Sequence, residues 1–130
     1  MHKGFIITAS ILGAMAVGLG AFGAHGLKNL ATPAQLNTYE TAVKYQFYHV
    51  FALLITSLLY AYFPVNGVVL SGKMFIAGMA IFSGSLYLLT FLQIAGYTQF
   101  NWLGAITPIG GLLLVFAWIW LALSIYRFNG

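Results

Sequence analysis

Apolar residues run almost unbroken through four stretches of the chain, residues 4–24, 47–63, 74–95 and 103–126. Each is close to the roughly 20 residues that a hydrocarbon core about 30 Å thick demands of a helix. None alternates apolar with polar residues, as the strands of a membrane barrel must. Helix is then dictated by the solvent, because a backbone group left unpaired in lipid costs several kcal/mol. The links at residues 64–73 and 96–102 are short, and the first opens on Pro64-Val65-Asn66-Gly67, a turn by composition. Short links make consecutive helices antiparallel neighbours. The pattern predicts an all-α membrane protein, an antiparallel four-transmembrane-helix bundle built as a single integral membrane domain over residues 1–130.

The connection after the first run is longer and carries its own helical signals. Thr32 can cap a helix that starts at Pro33, with Gln35 at the third position completing a capping box. Leu36, Tyr39, Val43 and Phe47 recur at helical spacing, and Glu40 and Lys44 stand one turn apart. Such a segment either lies on the membrane surface or leads straight into the second span. Nothing between residues 40 and 51 breaks a helix, which favours a capped helical extension continuous with that span. At the N-terminus, Lys3, the apolar residues 5–12 and Ala14-Met15-Ala16 have the layout of a signal peptide. The apolar run continues to residue 24 without a polar break, so the expectation is a first span.

Composition agrees with the pattern. Hydrophobic residues make up 62% of the chain and charged residues only 5%, against about 25% charged in soluble domains. The formal net charge of +4 comes from Lys3, Lys28, Lys44, Lys73 and Arg127, each standing alone. Scattered cations do not make the basic stripe that nucleic acid requires, so no nucleic-acid partner is expected. They suit the ends of membrane spans, and three on one side against two on the other favours cytoplasmic termini. The chain has no cysteine, which excludes disulfides and thiolate chemistry.

Antiparallel threading gathers the unusual residues toward one membrane face. His25, Glu40, Tyr45, His49, Tyr87, Thr107 and Pro108 form a candidate polar cluster there. Small residues at four-residue spacing in the first span, Ala9 with Gly13, Ala14 with Gly18, and Ala16 with Gly20 and Ala24, read as helix-packing positions. Gly110 and Gly111 read the same way in the fourth span. Pro108 is expected to bend the fourth helix between residues 107 and 111, unless it falls in the first turn, where its missing donor is harmless. His49 lies deep enough that it should face the interior and bond another helix, with Tyr87, Thr107, His25 or a carbonyl freed by Pro108 as partner. Two histidines on adjacent helices can also hold haem or a metal, but Glu40 is the only acidic residue and no third strong ligand is visible. No cofactor and no metal are therefore expected.

Four blocks carry a likeness to known sequences: GAFGAHGLK at residues 20–28, YQFYH at 45–49, FSGSLYLL at 82–89 and GAITPIGG at 104–111. Together and in this order they resemble a bacterial family of small integral inner-membrane proteins. It is the domain of unknown function numbered four hundred and twenty-three, with a similar small transmembrane protein in eukaryotes. The resemblance covers nearly the whole chain and implies a multi-pass protein of the bacterial inner membrane, with no catalytic residue or substrate attached. The expected role is non-enzymatic, structural or accessory, through association with membrane lipids, another membrane protein or a second copy of itself. Two alternatives stand beside it. One is a small transporter or channel using the Pro108-broken helix and His49. The other is an accessory subunit with haem or quinone between His25 and His49.

Overall fold

A capping box opens the second helix as its residues require: Gln35 N donates to Thr32 Oγ1 at 3.2 Å, and Thr32 N donates to Gln35 Oε1 at 3.0 Å. The computed structural model describes residues 1–129, which contain four long α-helices and no strand. They are α1 (Lys3–His25), α2 (Pro33–Leu59), α3 (Asn66–Ile94) and α4 (Thr107–Tyr126), with 3-10 turns at Leu27–Asn29 and Thr98–Ala105. All four are long and apolar enough to cross a membrane. Each packs against its neighbour in sequence, so α2 and α3 form the centre and α1 and α4 flank them.

The boundaries depart from the apolar runs at three places. Helix α2 ends at Leu59 rather than residue 63, because the chain turns through Tyr60–Tyr62 ahead of Pro64, and the residue before a proline is disfavoured in helix. Helix α3 begins at Asn66, well before residue 74, so the link is shorter than expected. Its first turns are held by burial of Val68, Ser71 and Gly72. Lys73 therefore sits on the helix, exposed, and not in a loop. Helix α4 starts at Thr107, after residues 98–105 wind as 3-10 helix, and the change of winding falls at Ile106. Pro108 is thus in the first turn of α4, where its missing N–H removes no helical bond. The expected bend within residues 107–111 is replaced by this junction just before them. Helix α3 closes on Gly96, the only described non-helical glycine with positive φ (+86°), and Tyr97 N reaches back to Leu92 O at 2.9 Å.

Helices α2 and α3, of 27 and 29 residues, are longer than the membrane needs; at 1.5 Å per residue they reach about 40 Å against a core of about 30 Å. The excess of α2 is its first three turns, where Asn37, Glu40 and Lys44 are exposed. At the other membrane face the start of α1 is clamped to the end of α2. His2 N donates to Ser57 O at 3.1 Å, and Ser57 Oγ donates to His2 O at 2.8 Å.

Close helix approach uses some of the small residues and not others. Ala9 and Ala16 are fully buried against α2, and a Cβ on Gly13 or Gly20 would stand 3.4 Å from Val50 or 3.5 Å from Val43. Gly23, which the spacing did not single out, lies under the Tyr39 ring, with only 2.6 Å to spare for a Cβ. Ala14, Gly18 and Ala24 are a correction: they are exposed, and a Cβ on Gly18 would meet nothing within 4 Å. Four-residue spacing fits both faces of α1, and only the rotation of the helix decides which one is packed. Gly110 lets α4 lie directly on α3, because a Cβ there would stand 2.5 Å from Phe82 N. Gly111 faces the Phe82 ring, 3.6 Å from where its Cβ would be.

Candidate functional site

The inward face of α2 carries Tyr39, Ala42, Gln46, His49 and Leu53 at three- to four-residue steps, and Tyr39, Gln46 and His49 are polar. Each of the three polar side chains ties α2 to a neighbour. Tyr39 Oη donates to Leu19 O of α1 at 2.6 Å. Gln46 does two things: its Nε2 donates to Leu12 O of α1 at 2.8 Å, and its Oε1 accepts from Tyr87 Oη of α3 at 2.7 Å. The glycines and alanines of α1 allow these short reaches by keeping its backbone close to α2.

His49 is only 5% exposed and points into the bundle. Its Nδ1 lies 2.8 Å from Tyr45 O on its own helix, and Trp118 Nε1 of α4 donates to its Nε2 at 3.4 Å. A carbonyl can only accept, so Nδ1 carries the proton and Nε2 is the acceptor, a neutral ring with both nitrogens engaged. The bond to Trp118 is long and correspondingly weak. Phe75 packs beside both, its ring 5.8 Å from His49 and 5.0 Å from Trp118.

Helices α3 and α4 are joined by Ser85 and Thr107. Ser85 Oγ donates its one proton to Phe82 O at 2.9 Å, so Thr107 Oγ1, 2.7 Å away, donates to Ser85. Ser83 Oγ adds a bond to Ala42 O of α2 at 2.8 Å. Among the described residues, no buried side-chain nitrogen or oxygen lacks a partner.

The seven residues expected as one polar cluster are dispersed. Thr107 and His49 are buried and Tyr87 is half-buried, each with a different partner, and the one bond that joins two of the seven runs from His49 Nδ1 to the Tyr45 carbonyl. The partners anticipated for His49 are corrected: Tyr87 bonds Gln46, Thr107 bonds Ser85, and the missed partner is Trp118. Tyr45 is exposed, contributing its carbonyl to His49 and its ring to Phe82 at 4.6 Å. His25, Glu40 and Pro108 are exposed. Glu40 lines a shallow cleft of about 140 Å³ with Lys44 and Tyr39. Because Gly23 packs on Tyr39, His25 lies near that level, while His49 is ten residues further along α2, about 15 Å deeper. Glu40 and His49 are likewise separated by about 13 Å of helix rise. No group of three or more metal-ligating side chains stands together among the described residues. Sequence reasoning missed Gln46, which is buried, and Trp118, an exposed residue whose indole N–H reaches in to His49. Gln46 had a signal, since an amide within an apolar span must find partners.

The family described as "Protein of unknown function (DUF423)" matches residues 19–111. A UPF0382 membrane protein of Staphylococcus aureus is 43% identical over 98% of this chain and 99% of its own. A UPF0382 membrane protein of Bacillus subtilis is 38% identical over 97% of this chain and 98% of its own. No solved structure gives a significant match.

Proposed function

The chain belongs to the DUF423 family of proteins of unknown function, and from that premise we propose that it is a non-enzymatic accessory protein of the bacterial cytoplasmic membrane. In this reading it acts by associating with lipids or with another membrane protein, and both of its termini face the cytoplasm. One observation carries the proposal: the buried polar side chains are bonded to one another or to backbone carbonyls, so they serve the bundle and not a substrate.

The same geometry weighs against the two alternatives. A transporter built on a broken fourth helix needs backbone carbonyls opened inside the membrane, whereas Pro108 stands in the first turn of α4. A haem or quinone held between His25 and His49 needs the two at one depth, and they are a helix segment apart. The test is flux. Purified protein in liposomes, beside empty liposomes and a His49→Gln variant, is assayed for proton and small-solute movement. The proposal expects the same rates in all three. A protein-dependent flux abolished by His49→Gln would overturn it in favour of the transporter.

A further inference from the structure

Helices α1 and α3 stand apart at mid-membrane depth, leaving a lipid-facing groove of about 330 Å³ floored by Gln46 of α2. Leu12, Met15 and Leu19 form one wall, and Met79, Ala80 and Gly84 stand on the other. The groove ends where Phe5 packs on Gly72, and at its far end where the Phe22 and Phe91 rings approach to 6.4 Å. Its polar floor is already bonded: Gln46 to Leu12 O and Tyr87, and Ser83 to Ala42 O. What remains is an apolar trough, held open at Gly84, where a Cβ would meet nothing within 4 Å.

We propose that this groove holds one acyl chain of an anionic phospholipid as a resident ligand. The inference rests on the proposed lipid association and names the lipid class. Dimensions select the occupant. The walls run from Thr8 to Leu19 and from Ile76 to Tyr87, each a rise of about 16 Å. A volume of about 330 Å³ drawn out over that length makes a long, narrow trough, the shape of a single extended hydrocarbon chain. A helix of a second copy, about 10–12 Å across with its side chains, is too wide to enter it.

Charge selects the headgroup. Lys73 follows Gly72 at the Phe5 end and shares the exposed face of α3 with Ala80 and Gly84, seven and eleven residues on. The only acidic side chain, Glu40, lies in the first turns of α2 at the opposite face. A lysine at the end of an apolar trough favours a phosphate above a chain that enters it.

The experiment is native mass spectrometry of detergent-purified protein titrated with dioleoyl phosphatidylglycerol and with dioleoyl phosphatidylcholine. Wild type should retain one phosphatidylglycerol in preference to phosphatidylcholine. Gly84→Leu fills the groove with a good helix former and should weaken both lipids about tenfold, as expected when about two methylenes lose their contacts. Lys73→Gln should remove about fivefold of the phosphatidylglycerol preference alone, the worth of one interfacial lysine. Gly18→Leu, on the open outer face of α1, should change neither. Unaltered lipid retention in Gly84→Leu, or an equal loss in Gly18→Leu, would overturn the proposal. So would a dimer in wild type that Gly84→Leu dissociates with lipid retention unchanged, which would assign the groove to a second copy. None of these results alters the flux comparison, so the two readings fail separately.

Discussion

Gln46 joins three helices through one side chain, accepting from Tyr87 of α3 and donating to Leu12 O of α1. Gln46→Leu should therefore destabilise the protein by about 1–2 kcal/mol, and Tyr87→Phe by about 1 kcal/mol, the scale of hydrogen bonds between membrane helices. The double variant should lose less than the sum, by about 0.5–1 kcal/mol, because each single change already breaks the shared bond. Unfolding in mild detergent, followed by circular dichroism, reads all three; strict additivity would mean that the two side chains are not bonded. At this scale the sequence showed that His49 must face inward, because an unpaired imidazole in lipid is expensive. It did not show Trp118 as the partner. Spacing along one helix says nothing about which residue of a helix 69 positions away is turned toward it.

Helix α4 depends on two neighbouring residues in opposite ways. Gly110 lies on the α3 backbone, so Gly110→Ala must push the helices apart and should cost about 1–3 kcal/mol, the usual range for overpacking. Pro108, exposed in the first turn, should accept alanine within about 0.5 kcal/mol. Thermal unfolding of the two variants side by side checks the pair; a larger loss at Pro108 would mean that the proline sits deeper in the helix than its position here. The start of α2 was legible because Thr32, Pro33 and Gln35 act on backbone donors within a single turn. The start of α4 was not, because residues 98–105 carry an apolar pattern that serves 3-10 and α winding alike. The small residues of α1 show the same limit: the rows through Gly13 and Gly18 are equally spaced, and packing selected only the first.

For the molecule as a whole, length and hydropathy were enough to read four antiparallel helices, because lipid leaves the backbone no other solution. The interior bonding scheme was not readable, since it depends on how the four helices are rotated about their axes. This scheme closes the bundle interior, and the helix ends alternate between the two membrane faces. The absence of cysteine from the chain makes both halves testable at once. Single variants Leu30→Cys, Ser83→Cys and Asn129→Cys are exposed to a membrane-impermeant maleimide in intact spheroplasts and after lysis. Leu30→Cys and Asn129→Cys should react from opposite sides, with Leu30→Cys labelled in intact cells if the termini are cytoplasmic, and Ser83→Cys should react from neither. Labelling of Ser83→Cys from either side would reveal a water path through the bundle, and labelling of the other two from the same side would contradict the four-span order.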